Sequence, residues 1–153
     1  MKSLRIAPAR EELQQRIARV TPSSQRLWGR MTAHQMICHL ADGFRIYMGE
    51  LSAKNVETPA PRWIIKNSAL WMPLPWPHGF KTMPEIDQQA GAGTPPAEFA
   101  RDVEDLRERL NCFAQLPRDF AWKPHPVFGL MSYREWMRLG YLHCDHHLRQ
   151  FGA

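Results

Sequence analysis

The sequence predicts an all-α fold, namely a four-helix bundle in which one long crossover joins the second helix to the third. Four stretches repeat their apolar residues at the spacing of one helix face, and two of these stretches begin with a capping box. No stretch alternates apolar and polar residues strongly enough to predict a strand. A chain of 153 residues can bury one core without disulfides or a structural metal. We therefore expect a single domain over residues 1–153.

Composition and charge exclude several classes of protein. Hydrophobic residues make up 44% of the chain and charged residues 23%, which is typical of a globular protein and not of collagen or a disordered chain. The formal net charge is +5, but the arginines are spread from Arg5 to Arg149 without a basic stripe, so we expect no nucleic-acid partner. The cysteines show no paired spacing, and no signal peptide or apolar run of membrane-spanning length is found. These features predict a cytoplasmic protein without a membrane partner.

The first two helices are predicted from their apolar spacing and from their ends. The first covers about residues 9–20 and ends before Pro22, which cannot continue it. The second begins at Thr32, because Thr32 and Gln35 have the spacing of a capping box. The inward face of the second helix is predicted to consist of Met36, His39, Leu40, Gly43, Tyr47 and Leu51.

Residues 52–93 form the predicted crossover, with a short helix over residues 63–71 and a stretch rich in proline and glycine after it. Long irregular segments in compact domains often serve as lids or binding loops. Two interpretations stay open, a lid over a pocket and a rigid strap along one side of the bundle. As a lid, the crossover is expected to restrict a pocket with its aromatic residues Trp63, Trp71, Trp76 and Phe80.

The third helix is predicted to start at Thr94 with Pro95 in its first turn, and the fourth to start at Ser132 with a second capping box. We expect residues 97–116 and 132–150 to be helical. The third helix has an unbroken apolar seam, so it should contribute packing and no chemistry. That seam consists of Phe99, Val103, Leu106, Leu110 and Phe113. The inward face of the fourth helix is predicted to be Trp136, Leu139, Gly140, His143, His147 and Gln150 or Phe151.

Histidines interrupt the inward faces of the second and fourth helices. His143 and His147 are four residues apart, so they stand about 6 Å apart on one helix face and can share a metal ion. His39 is the best third ligand, because its own inward face should meet the same interior. Three neutral nitrogens leave coordination positions open, as in catalytic zinc sites. We expect a divalent metal, zinc or nickel, although iron and copper also suit imidazoles, and the open alternative is that these histidines bind no metal.

Three other histidines have weaker patterns. His125 begins the segment His-Pro-Val-Phe-Gly and is either the anchor of a turn or a catalytic candidate at the pocket mouth, where it would carry a proton or contact water. His146 points away from the side of His143, so it should lie beside the site or at the surface. His34 lies far around the helix from His39 and is expected to be exposed.

The groups expected to support a metal site are few. Asp42 or Gln35 is predicted to accept a hydrogen bond from the second nitrogen of a ligand ring. Cys38 and Cys144 neighbour the candidate ligands in sequence but diverge from them around the helix, so both are interpreted as packing thiols. The sequence shows no clear general base, which leaves the reaction type open.

Two motifs in the chain resemble the DinB-like (YfiT-like) superfamily of helical metalloproteins. The motifs are Trp28-Gly29-x-Met31-Thr32 leading to His39-Leu40, and His143-x-x-His146-His147-x-x-Gln150-Phe151. A narrower resemblance is to an uncharacterised branch of that superfamily, a domain of unknown function. It is carried by the segment from His125 to Gly129 and by Lys81-Thr82. Together the resemblance covers roughly residues 25–151.

This resemblance implies a four-helix bundle that holds a divalent metal through one histidine of the second helix and two of the fourth. The matching positions here are His39, His143 and His147. Members of the superfamily include thiol-dependent S-transferases, a thiol-dependent isomerase and hydrolases, and relatives often form homodimers. Better-known members often have a glycine near the closing glutamine of the last helix, whereas here Arg149 stands directly before Gln150. The substrates of those members are therefore not inferred for this chain.

Three functions therefore stay open at this point. The first is a metal-dependent hydrolase that acts on a small-molecule substrate with metal-activated water. The second is a transferase that uses a low-molecular-weight thiol, whose carboxylates could meet arginines such as Arg45. The third is a non-catalytic bundle that binds a metal or a small molecule. A homodimer is expected from the resemblance alone.

Overall fold

A computed structural model describes residues 1–79 and 82–153 and shows an all-α protein. Its five helices are α1 (Ala7–Arg19), α2 (Ala33–Tyr47), α3 (Arg62–Trp71), α4 (Phe99–Gln115) and α5 (Tyr133–Gln150). Within the described residues there is no β-strand, only an isolated bridge between His125 and Gly129. The predicted all-α class is confirmed. The four-helix bundle is not confirmed, because the described residues contain five α-helices. The crossover contributes α3, where the sequence predicts a short helix over residues 63–71.

Side-chain caps fix the starts of the two helices that carry the histidines. In α2 the Gln35 N–H donates to the Thr32 hydroxyl at 3.1 Å, and the Thr32 N–H donates to Gln35 Oε1 at 2.9 Å. In α5 the Ser132 and Glu135 side chains make the same reciprocal pair of bonds. Both predicted capping boxes are confirmed, and each satisfies N–H groups that a helix start leaves unpaired.

Helix α2 lies at the centre of the molecule and is buried along most of its length. It packs against α4 and α5, while α1 also contacts both of these helices and α3 contacts α5. The predicted seam of α4 faces this core, with Leu106, Leu110 and Phe113 fully buried. Phe113 contacts Phe44 of α2 with their ring centroids 5.3 Å apart. The apolar stripes that predict the helices therefore also predict which faces meet.

The start of α4 differs from the prediction. The helix begins at Phe99, not at Thr94, because Thr94 is engaged elsewhere. The Thr94 N–H and hydroxyl both donate to the Asp42 carboxylate, each at 2.7 Å. Pro96 also disfavours helical backbone at Pro95, so this stretch runs extended until the helix can start.

The second half of the crossover is bound to α2. It contains two short 3-10 helices, Pro84–Ile86 and Gln88–Ala90, and both pack against α2. Gly93 follows at a φ of +80°, where an added Cβ would lie 2.7 Å from Asp42 Oδ2. Only glycine fits such a position without strain, so this segment is held close to the helix. No helix in the described part of the chain is long and apolar enough to cross a membrane.

Replacing Gly140 with alanine is expected to destabilise the fold. A Cβ at this position of α5 would lie 2.7 Å from Leu4 Cδ1 and 3.0 Å from Phe113 Cε1. Overpacking a core costs about 1–3 kcal/mol, which exceeds the helix-propensity gain of up to about 1 kcal/mol. Urea denaturation should show a lower midpoint with an unchanged slope. A midpoint at or above that of the wild type would show that the core absorbs the methyl group without cost.

Candidate metal centre

Three histidine rings from two helices meet in the interior. His39 projects from α2, and His143 and His147 project from α5. The Nε2 atoms of His39 and His143 are 3.1 Å apart, and one nitrogen from each of the three rings lies within 4.8 Å of the other two. The three residues that the sequence singles out as metal ligands are therefore brought together at one point.

A glycine on α2 allows this approach. Gly43 lies one turn after His39, and a Cβ there would be 2.9 Å from Cε1 of His143. A distance that short is a clash, so any larger residue would displace the His143 ring. Because Gly43 has no side chain, His143 reaches across to His39 while α5 stays close to α2.

Each ring uses its Nδ1 atom for a hydrogen bond to a group outside the cluster. His39 Nδ1 lies 3.1 Å from the Ile86 carbonyl oxygen, His143 Nδ1 lies 3.0 Å from the Tyr47 hydroxyl, and His147 Nδ1 lies 2.9 Å from Gln150 Oε1. A carbonyl oxygen only accepts, so the protons of His39 and His147 sit on Nδ1. Their Nε2 atoms therefore carry lone pairs, and that of His39 faces His143 Nε2.

These partners differ from the predicted ones. Asp42 and Gln35 do not contact the rings: Asp42 binds Thr94 and Arg45, and Gln35 closes the cap of α2. Gln150 could have been found from the sequence, since it lies three residues after His147 and on the same helix face. The carbonyl of Ile86 could not, because the irregular crossover gives no pattern that places it beside α2.

The donor set fits a divalent transition metal. Ligands about 2.0–2.1 Å from one ion, at angles between octahedral and tetrahedral, lie roughly 2.9–3.4 Å apart, and the observed 3.1 Å falls in this range. Burial lowers the pKa of His39, His143 and His147, and for His143 and His147 neighbouring rings lower it further. All three rings are therefore neutral at pH 7, which is the form that binds metal.

The centre lies in the wall of a cavity of about 610 Å³. Aromatic side chains form much of the rest of that wall, and residues 82–90 of the crossover close one side. These aromatic side chains are Trp28, Tyr47, Trp76 and Phe128. The predicted lid residue Trp76 also lines the cavity, with its ring centroid 6.4 Å from that of His143.

Of the three predicted lid residues that the structure describes, Trp76 lines the cavity and the other two do not. Trp63 is 65% exposed and does not line the cavity, while Trp71 lies under the guanidinium of Arg134. Phe80 lies outside the described residues. Trp28 was not predicted to contribute, yet it lines the cavity and stacks on His78 with a centroid distance of 4.1 Å.

His125 lines the same cavity and is 4% exposed. The backbone N–H groups of Val127 and Phe128 donate to its Nδ1 at 3.1 and 3.2 Å, so the ring proton is on Nε2. Burial, together with the charge of Arg62, lowers the pKa of His125 to about 3. This geometry favours a fixed hydrogen-bond donor and argues against the proton carrier that the sequence suggested.

A second group of donors, away from the cavity, has a structural explanation. His34 was expected to be exposed, but it is half-buried and its Nε2 lies 2.7 Å from Asp102 Oδ2, with Cys38 close by. The same carboxylate oxygen accepts the Ala97 N–H at 3.0 Å and so holds the chain at the start of α4. Burial raises the pKa of the Cys38 thiol to about 12, so it stays protonated at pH 7.

Acid is expected to destabilise the metal-free protein partly through His125. Its pKa is near 6.5 in the unfolded chain and about 3 in the folded one, so below pH 6.5 only the unfolded state binds the proton. Between about pH 6 and pH 4, the free energy of unfolding of the wild type should fall by about 1.4 kcal/mol per pH unit more than that of His125→Asn. Urea denaturation at several pH values measures this difference, because the other histidines titrate in both proteins. Parallel pH profiles would contradict it.

Comparison with known proteins adds one match. Residues 7–151 match the family model of the DinB superfamily, and this segment contains all three clustered histidines. No curated protein and no solved structure matches the chain. The family match confirms the resemblance seen in the sequence motifs: this chain belongs to the DinB superfamily.

Proposed function

We propose that the chain is a metal-dependent enzyme that holds a divalent ion through His39, His143 and His147 and acts on a small molecule in the adjoining cavity. The observation that carries the proposal is the hydrogen bonding of the three rings, in which each Nδ1 has an outside partner and each Nε2 is left for the ion. Membership of a metal-binding superfamily supports it. Zinc or nickel is the expected metal, because both accept three imidazoles.

In this proposal α1, α2, α4 and α5 form a four-helix bundle, and α3 belongs to the crossover. The bundle supplies the rigid frame for the ligands, and Ile86, Tyr47 and Gln150 orient their rings. When bound, the ion supplies Lewis acidity that lowers the pKa of a water molecule or a thiol. The homodimer and the cytoplasmic location stay predictions, and light scattering at micromolar concentration tests the first of them.

Two reactions fit this site, and they differ in their need for a base. Hydrolysis by a metal-bound water is assisted by a group that accepts its proton, and Asp87 is the only carboxylate among the described residues that line the cavity. Asp87 Oδ1 already accepts the N–H of Gln89. A thiol has a pKa near 8.5 in water, and coordination to a metal would lower it further, so the proton would pass to solvent without a protein base. The cavity therefore favours thiol transfer over the hydrolysis that the sequence analysis placed first.

The predicted contact of Arg45 with a thiol cofactor does not fit. Arg45 donates to Asp42, Thr94 and Asp105, so its guanidinium is engaged by the crossover and α4 and does not line the cavity. Arg30 is the only arginine among the described residues that line the cavity, and it is exposed at its mouth. A thiol that bears carboxylates would meet Arg30 there.

Replacing His143 with alanine is expected to weaken metal binding at least about 100-fold, because even the loss of an outer-shell partner costs 10–100-fold. Elemental analysis after loading with zinc measures the metal content, and circular dichroism should stay helical, since the core does not depend on the ion. His34→Ala is the matched control, as it removes the donor of the second cluster and should leave metal content unchanged. Full occupancy in His143→Ala, or metal loss in His34→Ala, would contradict the assignment.

Asp87→Asn is expected to separate the two reactions. If the enzyme transfers thiols, conjugation of a small thiol to an aryl halide, with release of halide, should persist in Asp87→Asn, because a coordinated thiol would lose its proton to solvent without a carboxylate. If it is a hydrolase, cleavage of a nitrophenyl ester should need no thiol and should fall about 100-fold or more in the variant, as general bases contribute roughly 10²–10⁴-fold. Loss of thiol transfer in Asp87→Asn would count against the reaction that we favour. Metal-loaded protein that does neither would support a non-catalytic binding role.

A further inference from the structure

The segment His125-Pro-Val-Phe-Gly129 forms a tight turn at the wall of the cavity. The backbone groups of His125 and Gly129 exchange two hydrogen bonds, N–H to carbonyl in each direction, both at 2.8 Å. Gly129 has a φ of +69°, a conformation that favours glycine. Inside the turn, His125 Nδ1 accepts the N–H groups of Val127 and Phe128. The turn is therefore stabilised by its own histidine, whose Nδ1 edge is fully used by hydrogen bonds within the turn.

The opposite edge of the ring is left for the cavity. With Nδ1 occupied by two donors, the proton must sit on Nε2, and this nitrogen has no hydrogen-bond partner among the described residues. The ring cannot turn freely, since it stacks on Phe128 at a centroid distance of 4.7 Å and lies 5.7 Å from the ring of Tyr47. His125 thus presents one N–H group, in a fixed direction, beside the candidate metal centre.

We infer that the Nε2–H of His125 is the donor that recognises an oxygen acceptor, such as a carbonyl group, on an uncharged and largely apolar substrate. The inference rests on the proposed function, since it takes the ligand to be anchored at the three-histidine centre. The surroundings support an uncharged ligand: the donor is itself neutral, and the nearby walls are formed by Tyr47, Phe128 and Leu139. Arg62, whose charge acts on His125, does not line the cavity. A charged group beside His125 would therefore lose its hydration without direct contact with that cation.

The competing explanation is that His125 only builds the turn, and two variants separate the roles. His125→Asn keeps an acceptor for the same backbone N–H groups, because asparagine forms an equivalent turn. It leaves no donor at the position of Nε2, because its own amide NH₂ group lies closer to the backbone. His125→Gln has the opposite property, since its longer side chain can place an amide N–H near the position of Nε2 while losing the contacts within the turn. We expect His125→Asn to keep the stability of the wild type and to lose ligand recognition. We expect His125→Gln to lose stability and to keep ligand recognition.

The experiment uses cobalt(II)-loaded protein, because a thiolate that binds cobalt changes its visible spectrum. The probes are ω-mercaptoamides with one to three methylene groups and, as matched controls, branched alkanethiols of the same shape without the carbonyl. In the wild type, one mercaptoamide should bind about three- to tenfold more tightly than its alkanethiol partner, which is the effect of one net hydrogen bond. This preference should vanish in His125→Asn and persist in His125→Gln, while the affinity for alkanethiols stays the same in all three proteins.

The experiment can contradict either the inference or the proposed function, and the outcomes differ. If no mercaptoamide is preferred by the wild type, or if His125→Asn keeps the preference, the inference is overturned. Loss of the preference in His125→Gln together with unchanged stability would also overturn it. If the wild-type protein binds no cobalt, the proposed function fails instead. Nitrogen NMR of the histidine rings of the wild-type protein provides an independent readout, since a proton found on Nδ1 of His125 would contradict the assigned donor.

Discussion

The buried carboxylate of Asp42 is the contact on which the site depends. It lies on α2 with 1% of its surface exposed, accepts two hydrogen bonds from Thr94, and pairs with Arg45. These bonds hold the end of the crossover against the helix, and the same segment carries the Ile86 carbonyl that orients His39. Burying a carboxylate without such partners would lower the stability of the fold, so Asp42 needs the hydrogen bonds from the crossover. The crossover in turn needs Asp42 to hold it against α2.

Close contact between α2 and α5 is the second constraint, and glycine provides it on both helices. Gly43 leaves room for the His143 ring, and Gly140 leaves room for Leu4 and the Phe113 ring on the same side of α5. One glycine therefore serves the site and the other serves the core. The candidate ligands can stand on rigid helices because the packing around them is tight, which keeps three rings pointed at one centre without help from mobile loops.

Regular features of the chain could be read from the sequence, and irregular ones could not. The caps at Thr32 and Ser132, the apolar faces and the i, i+4 pair of histidines all follow from local spacing, so these features were predicted. The predicted start of α4 was wrong, because the hydrogen bond from Thr94 to Asp42, a residue far away in sequence, overrides a favourable local pattern. The partner of His39 and the stacking of Trp28 come from segments without periodicity, where local sequence does not fix what lies nearby.

The candidate ligands also join distant parts of the chain, since His39 and His143 are 104 residues apart in sequence. An ion shared by them would act as a reversible cross-link that encloses the crossover and α4 in one large loop. Because such a site forms only in the folded chain, the ion would stabilise the fold through its binding free energy. In a chain cut in its crossover near residue 75, the packing of α2 against α4 and α5 would hold the two pieces together, and the ion would add a second link between them. The crossover is thus a place where the covalent continuity of the chain is dispensable for holding the two ends together.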